Sequence, residues 1–492
     1  MSIGAAALAV APEPQTSGTA ANIAPLSTRE QIYARAARSD FDEWITQVGS
    51  VGGCTHPVRL RGQLVDVDTN TGEVIHQVDT GSELPDGVIY KACGTRRAAQ
   101  CPSCAEVYRR DAYFLLHAGI AGGDGAPEGV SRHPCVFATL TAPGFGPVHT
   151  RRTRGERVLP CRPRRRRDQV CPHGVLLSCP RIHGETDTAL GKPLCARCFD
   201  YTAAVVWNIH AGELWRRTTQ ALNRELNRPA GGTRVKASFG KVAEFQARGL
   251  VHFHALIRLD DADGGCPPAH LTAGQLEDAL RGAVAGTRFM TMPHPDQAEG
   301  WLIEWGTQLD VKTIRTGVGG HITDGKVVAY LAKYATKSTE AVGGVSARIT
   351  PDSIGVYGHP GSHLGRLIHA AWTVGDVSAQ PQYHEFLRLR RWAHMLGYGG
   401  HFTTRSRRYS TTFTERRQRR QAYRRAHPRQ RHQAAHERDQ AATVTLTALR
   451  YEGSGWRTSG DAELAATAAA MARHYANIEA EERACALPAE LD

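Results

Sequence analysis

The chain has no run of about 18 consecutive apolar residues, which argues against a membrane-spanning helix, and no membrane partner is expected. Its opening, "MSIGAAALAVAPEPQTSGTAANIAPL", lacks the positively charged start of a secretory signal. A cytoplasmic protein is therefore expected. Thiols stay reduced in that compartment, so the 12 cysteines are expected as metal ligands rather than as a disulfide framework. No internal repeat is present, and a length of 492 residues implies roughly two to four domains or sub-domains, not one core.

Charge is abundant and uneven. Lys and Arg number 60 against 48 Asp and Glu, for a formal net charge of +12. The excess concentrates in "RPRRRRDQ" and "TERRQRRQAYRRAHPRQR". Clustered cations release counterions when they neutralise phosphates, so a nucleic-acid partner is expected. Arg164, Arg165, Arg166 and Arg167 in the first run, and Arg416, Arg417, Arg419 and Arg420 in the second, are the candidate DNA contacts. A solvated basic face is the plainer alternative.

Residues 1–27, rich in Ala, Pro, Ser, Thr and Gly, read as a flexible leader. Residues 28–112 open with a helix, Ser27 its N-cap and Glu30 the capping-box partner, and continue into a first cysteine group. Residues 130–345 hold the candidate catalytic core, interrupted at about 160–200 by a second cysteine group rich in Pro and Gly. In this core "HPCVFATLTAPGFG" reads as a strand, and "TAAVVWNIHAGELWRRTTQALNREL" as a helix with Trp207 and Trp215 in its packing face. Residues 346–492 read as a basic, mostly helical DNA-binding region.

In the first cysteine group, Cys101 and Cys104 have the C-x-x-C spacing of a tetrahedral zinc site, Cys93 joins them, and Cys54 or else His56 completes the set. The surroundings lack the strand and helix context of a redox C-x-x-C pair. The second group has more donors than one Zn²⁺ needs. Cys195 and Cys198 are its firmest half, Cys171 and Cys179 the next choices, and His183 or Cys161 the substitutes. Both groups are expected to be closed structural sites.

The stretch "KVAEFQARGLVHFHALIRLD" holds the most specific signal. Alternation along a strand puts His252 and His254 on one face and Val251, Phe253, Ala255 and Ile257 on the other. Glu244 has the same parity and is the expected third ligand, with Gln246 as the alternative. Imidazole and carboxylate with open positions suit Mg²⁺ or Mn²⁺ in phosphoryl chemistry. In "DGKVVAYLAKYATKSTE", helical spacing aligns Tyr330, Lys333, Tyr334 and Lys337. A metal-polarised phosphodiester beside such a stripe is open to attack by a tyrosine oxygen, which leaves a 5′-phosphotyrosine and a free 3′ hydroxyl.

"VFATLTAP", "GLVHFHALIRLD" and "YLAKYATK" resemble, in order, the three motifs of the HUH endonuclease superfamily. Together with "GGCTHPVRLRG", "ACGTRRAAQCPSCAEVYRRDAY" and "MLGYGGHFTTRSRRYSTTF", they are similar to actinobacterial plasmid replication initiators of the RepSA type, over residues 45–470 or so. The resemblance implies an α+β fold in which an antiparallel sheet of about five strands, the His-bearing strand central, is flanked by helices. It also implies rolling-circle replication: nicking at a plasmid double-strand origin, covalent attachment, and rejoining of the displaced strand. Its partners would be origin and single-stranded DNA, together with host helicase and replication proteins. Tyr334 is the expected principal nucleophile, Tyr330 a second nucleophile or a supporting residue, and Lys333 and Lys337 bind phosphate or stabilise phenolate. The rival readings are an HUH transposase or relaxase, a zinc-bearing DNA-binding regulator without catalysis, and a cupin-like metalloenzyme using His-x-His.

Overall fold

The computed structural model describes residues 26–123, 125–127, 129–164, 170–228, 234–314, 321–334, 344–345, 347–377, 381–426 and 443–486. The described residues divide into two compact units that are not contiguous in sequence: those within 26–67, 74–91 and 445–486 form one, and those within 68–73 and 92–444 form the other.

The larger unit is built on a five-stranded sheet. Its strands are β1 (Cys135–Leu140), β2 (Val235–Phe245), β3 (Val251–Asp261), β4 (Leu309–Ile314) and β5 (Thr403–Arg405). They run in the order β4-β1-β3-β2-β5 with every neighbouring pair antiparallel. The His-bearing strand β3 is thus the central one, and nearly all of its residues are buried. Layers on both faces explain why β3 is buried almost throughout, its polar residues included.

One face carries Ala243, Phe245, Phe253, Ala255, Ile257 and Leu259 into the main core. Helix α2 (Tyr201–Asn227) crosses it, capped by the Asp200 carboxylate on the Ala203 amide. Trp207 and Trp215 are buried there, with Trp215 edge-on to Phe239 and Phe253 at centroid distances of 5.0 and 6.1 Å. Helices α3 (Ala273–Gly286) and α5 (His363–Val374) pack against α2 from the same side. Each fully buried large apolar side chain in such a layer contributes about 1.5–3 kcal/mol.

The opposite face is covered by α1 (Pro102–Ala121) and α4 (His321–Tyr334). Ala112, Leu116 and Ile120 of α1 and Val328 and Leu331 of α4 meet Cys135, Val242 and Leu256 in a second cluster. Arg258 is buried here, hydrogen-bonded to Asp260 at 2.6 and 2.9 Å and to the Gly119 carbonyl. Burial pushes the Asp260 carboxyl up, but the hydrogen bonds from His133 and Arg258 outweigh it and hold the group below its ordinary value. Helix α6 (Phe413–Ala426) follows on this side.

In the smaller unit, strands Val58–Asp68, Val74–Asp79, Ile89–Lys91 and Thr443–Ser454 form one sheet around Val58–Asp68. The sequence predicts one helix after Ser27; the structure breaks it into Thr28–Ala36 and Phe41–Ser50, at an Arg38–Asp40 ion pair. The expected Ser27–Glu30 capping box is present. Arg35 is buried between Asp86 and Asp461 at 2.9 and 2.6 Å. The region after residue 440 is not purely helical, because the alternating Thr and apolar residues of Thr443–Ser454 make a strand before helix Ser459–Ala486.

Candidate active site

Glu244 of β2 and His252 of β3 are direct cross-strand partners. Their side chains emerge on the α4 side, where His252 Nε2 lies 3.0 Å and His254 Nε2 3.4 Å from Glu244 Oε2. The two imidazoles are 4.4 Å apart between centroids. Three donors of the expected types are thus within 4.8 Å of one another, a spacing that suits a single cation. Gln246, the alternative third ligand, lies beyond the end of β2 and lines a neighbouring groove.

Two further residues position the trio. Thr139 of β1 pairs with His254, its Oγ1 3.0 Å from Nδ1. With Nδ1–H donated to that hydroxyl, the Nε2 lone pair is directed toward Glu244. Asn208 of α2 donates to the carbonyls of Gly249 and Leu396 at 2.9 and 2.8 Å and accepts from the Val251 amide at 3.1 Å. It therefore clamps the turn that joins the Glu244 strand to the His252 strand. Gly249 supplies the left-handed backbone of that turn, with φ +79°. Neither Thr139 nor Asn208 follows from motif reasoning, because only the pairing and the helix packing bring them to the site.

Of the tyrosine stripe, Tyr330 is half-exposed, its ring 5.6 Å from His254 and 6.3 Å from Phe137. Lys333 is exposed. Tyr334 is the last residue of α4 and its side chain lies outside the described ones; Lys337 is outside the described residues altogether. A groove of about 480 Å³ opens past the ends of β1 and β2, bordered by Thr141, Gln246, His149, Gly191 and Gln308.

The Cys and His donors gather in further groups. Cys93, Cys101 and Cys104 come together in the larger unit, Cys101 capping α1. Cys54 belongs to the smaller unit, buried, its carbonyl accepting from Trp456 Nε1. Cys171, Cys195 and Cys198 join His173, whose Nδ1 is 3.2 Å from Cys198 Sγ. Burial pushes the Cys171 thiol up, yet backbone amides at His173 and Val175 and the neighbouring thiols bring it down to about 6. Cys179, expected with this group, lies instead with Cys161, His149 and His183.

The predicted DNA contacts divide. Arg417 and Arg419 are exposed on α6, whereas Arg416 and Arg420 turn toward the buried carboxylate of Asp111 on α1. Tyr409 is buried, its hydroxyl donating to the Leu116 carbonyl, which makes it a packing residue. Arg417 also borders a pocket of about 630 Å³ with Arg96, Arg97, Tyr108, Trp392 and Phe413, a mixture of cations and aromatic faces. Arg164 is described, but Arg165, Arg166 and Arg167 are outside the described residues.

Residues 40–470 match the family of the replication initiator protein of pSAM2, RepSA. A replication initiator protein of Streptomyces ambofaciens is 40% identical over 457 residues, covering 90% of this chain and 93% of that protein. The chain belongs to the RepSA family of replication initiators. No solved structure matches it. The sheet, its flanking helices and the Glu244–His252–His254 trio accord with an α+β HUH-type nuclease core in this family. Among the described residues, no helix is long and apolar enough to cross a membrane.

Proposed function

We propose that this chain initiates rolling-circle replication by nicking one strand of a plasmid origin, through a tyrosine of α4, at a Mg²⁺ or Mn²⁺ ion held by Glu244, His252 and His254. The observation that carries this reading is the convergence of one carboxylate and two imidazoles beneath a tyrosine ring, 5.6 Å from His254. When bound, the cation polarises the scissile phosphate and offsets charge that builds on its oxygens.

The chain's own groups do the rest. Thr139 and Asn208 hold the donors in place before DNA arrives. Tyr334 is the attacking residue, and Tyr330, one turn earlier on the same stripe, supports it or accepts the strand when a round ends. The phenol oxygen bonds to phosphorus, the bond from phosphorus to the 3′ oxygen breaks, and that oxygen leaves as a 3′ hydroxyl after taking up a proton. Lys333 and Lys337 stabilise the phenolate and the phosphate. Attack of a 3′ hydroxyl on the phosphotyrosine reverses the sequence and rejoins the strand.

Arg164 to Arg167, Arg416, Arg417, Arg419 and Arg420 are assigned to DNA, with Arg417 and Arg419 the best exposed of those described on α6. The basic, aromatic pocket at Arg417 suits a base and its phosphate. Zinc at Cys93, Cys101 and Cys104, and at Cys171, His173, Cys195 and Cys198, holds loops against the core. Host helicase and replication proteins are the expected protein partners. The test is relaxation of supercoiled plasmid carrying the replicon's own origin. Nicking in Mn²⁺ that is lost with chelator and in the His252→Ala/His254→Ala variant supports the assignment; metal-independent nicking, or none on a verified origin, overturns it.

A further inference from the structure

The segment between β1 and α2 holds a quartet of donors that spacing alone does not separate from its neighbours: His149, Cys161, Cys179 and His183. His149 Nδ1 is 3.2 Å and Cys179 Sγ 3.5 Å from His183 Nε2. Bonds of about 2.0–2.3 Å to a tetrahedral ion put ligand atoms at about such separations. Cys161, Cys179 and His183 are all buried.

The surroundings are those of ligands. His183 Nδ1 lies 2.6 Å from Asp187 Oδ2, so with Nδ1–H donated to that carboxylate, Nε2 is left to bind a metal. The Thr150 amide donates to Cys161 Sγ at 3.2 Å. Backbone bonds from Cys161 to Arg181 and, in both directions, between Arg162 and Cys179 clip the two thiol-bearing segments together. A simple hydrogen bond between the two imidazoles accounts for neither buried sulfur. Two sulfurs and two nitrogens with no open position are the donor set of a structural zinc.

This quartet is tied to the groove beside the nuclease trio. The His149 amide donates to the Lys192 carbonyl and the Gly191 amide to the His149 carbonyl, both at 2.9 Å. Gly191 lies so close to the Ala247 backbone, in the turn between β2 and β3, that any side chain there would collide with it. His149, Thr150, Gly191, Thr141 and Gln246 all line the groove. Thr141 and Gln246 follow directly on the ends of β1 and β2, two residues beyond Thr139 and Glu244 in sequence, so the groove lies at the end of the sheet next to the site. Arg151 adds a cation to the rim.

We propose that His149, Cys161, Cys179 and His183 bind a structural zinc distinct from the one at Cys171, His173, Cys195 and Cys198, and that it fixes the wall of a groove taking the single-stranded DNA next to the scissile phosphate. The groove's occupant rests on the nuclease reading above; the zinc does not.

The test starts with metal analysis of the full-length protein. Cys161→Ser/Cys179→Ser loses one equivalent of zinc, Cys195→Ser/Cys198→Ser loses a different one, and the combined variant loses both. An unchanged zinc content in the first variant, or loss of one shared equivalent in all three, overturns the second site. His183→Cys guards against misfolding: it keeps the full metal content, and the cobalt-substituted protein gains thiolate-to-cobalt charge-transfer absorption. Absorption identical to that of the cobalt-substituted wild type overturns His183 as a ligand. For the groove, a 4-thiothymine placed beside the nick cross-links to the segment Leu190–Lys192 in the wild-type protein. Its absence in a protein that still nicks overturns the occupant while leaving the zinc and the nuclease standing; failure to nick speaks only against the nuclease.

Discussion

Glu244 and His252 face each other directly across β2 and β3, with Oε2 and Nε2 3.0 Å apart. The turn between them makes this possible, since a tight antiparallel connection brings residues eight positions apart into one cross-strand pair. His254 then follows on the same face because the side-chain period of a strand is two. A three-donor site therefore results from one hairpin, and the residues that hold the hairpin govern the site.

Thr139→Val removes the hydroxyl that orients His254 while keeping the side-chain shape. The Mn²⁺ concentration for half-maximal nicking is expected to rise about tenfold or more, with the melting temperature little changed. An unaltered Mn²⁺ dependence contradicts the orienting role.

Asn208→Ala leaves the Val251 amide and the carbonyls of Gly249 and Leu396 without their buried partner. A loss of about 2–4 kcal/mol is expected from denaturant unfolding, together with weaker Mn²⁺ binding. Loss of stability without any change in metal binding shows that the clamp does not reach the site.

How much of this was legible in the sequence varies with the range of the interaction. His252 and His254 follow from strand parity, and the tyrosine stripe from helical spacing, because both are local periodicities; Glu244 reaches them across the turn at Gly249, so its place depends on the pairing of β2 with β3. The motif order pointed to a five-stranded sheet with β3 central, and that sheet is present. Thr139 and Asn208 were hidden because their roles depend on β1 pairing with β3 and on α2 crossing the hairpin. Spacing alone groups Cys179 with Cys171, Cys195 and Cys198, because it ranks donors and cannot sort them between two clusters in space. His149 lies upstream of the cysteine-rich run and carried no spacing signal. The strand Thr443–Ser454 was masked by its Arg-rich and Ala-rich neighbours, although its alternating residues carried a period of two.

Lys241 is buried over the Phe253 ring at 3.6 Å, and burial pushes its amine down to about 7. Between that value and the ordinary lysine range near 10.5, the unfolded chain holds a proton that the folded chain has released, so stability rises with pH. Below about pH 7 both states are charged and the full cost of burying the cation remains. Lys241→Met is expected to raise the melting temperature at pH 6 by on the order of 5 °C, and the gain should shrink as pH approaches 10. A gain that is the same at both ends contradicts a buried, shifted amine.

The proposed nicking step joins tyrosine to DNA covalently, so transfer of label from DNA to protein measures it directly. A single-stranded oligonucleotide from the replicon's own origin, labelled on the 3′ side of the nick, is incubated with protein and Mn²⁺ and resolved under denaturing conditions. The prediction is a metal-dependent protein–DNA adduct that Tyr334→Phe abolishes, at least 100-fold, while DNA binding is retained; Tyr330→Phe reduces it less. An adduct that persists in Tyr334→Phe and disappears in Tyr330→Phe moves the nucleophile to Tyr330. An adduct that survives replacement of both tyrosines, or cleavage with no adduct at all, contradicts the tyrosine mechanism.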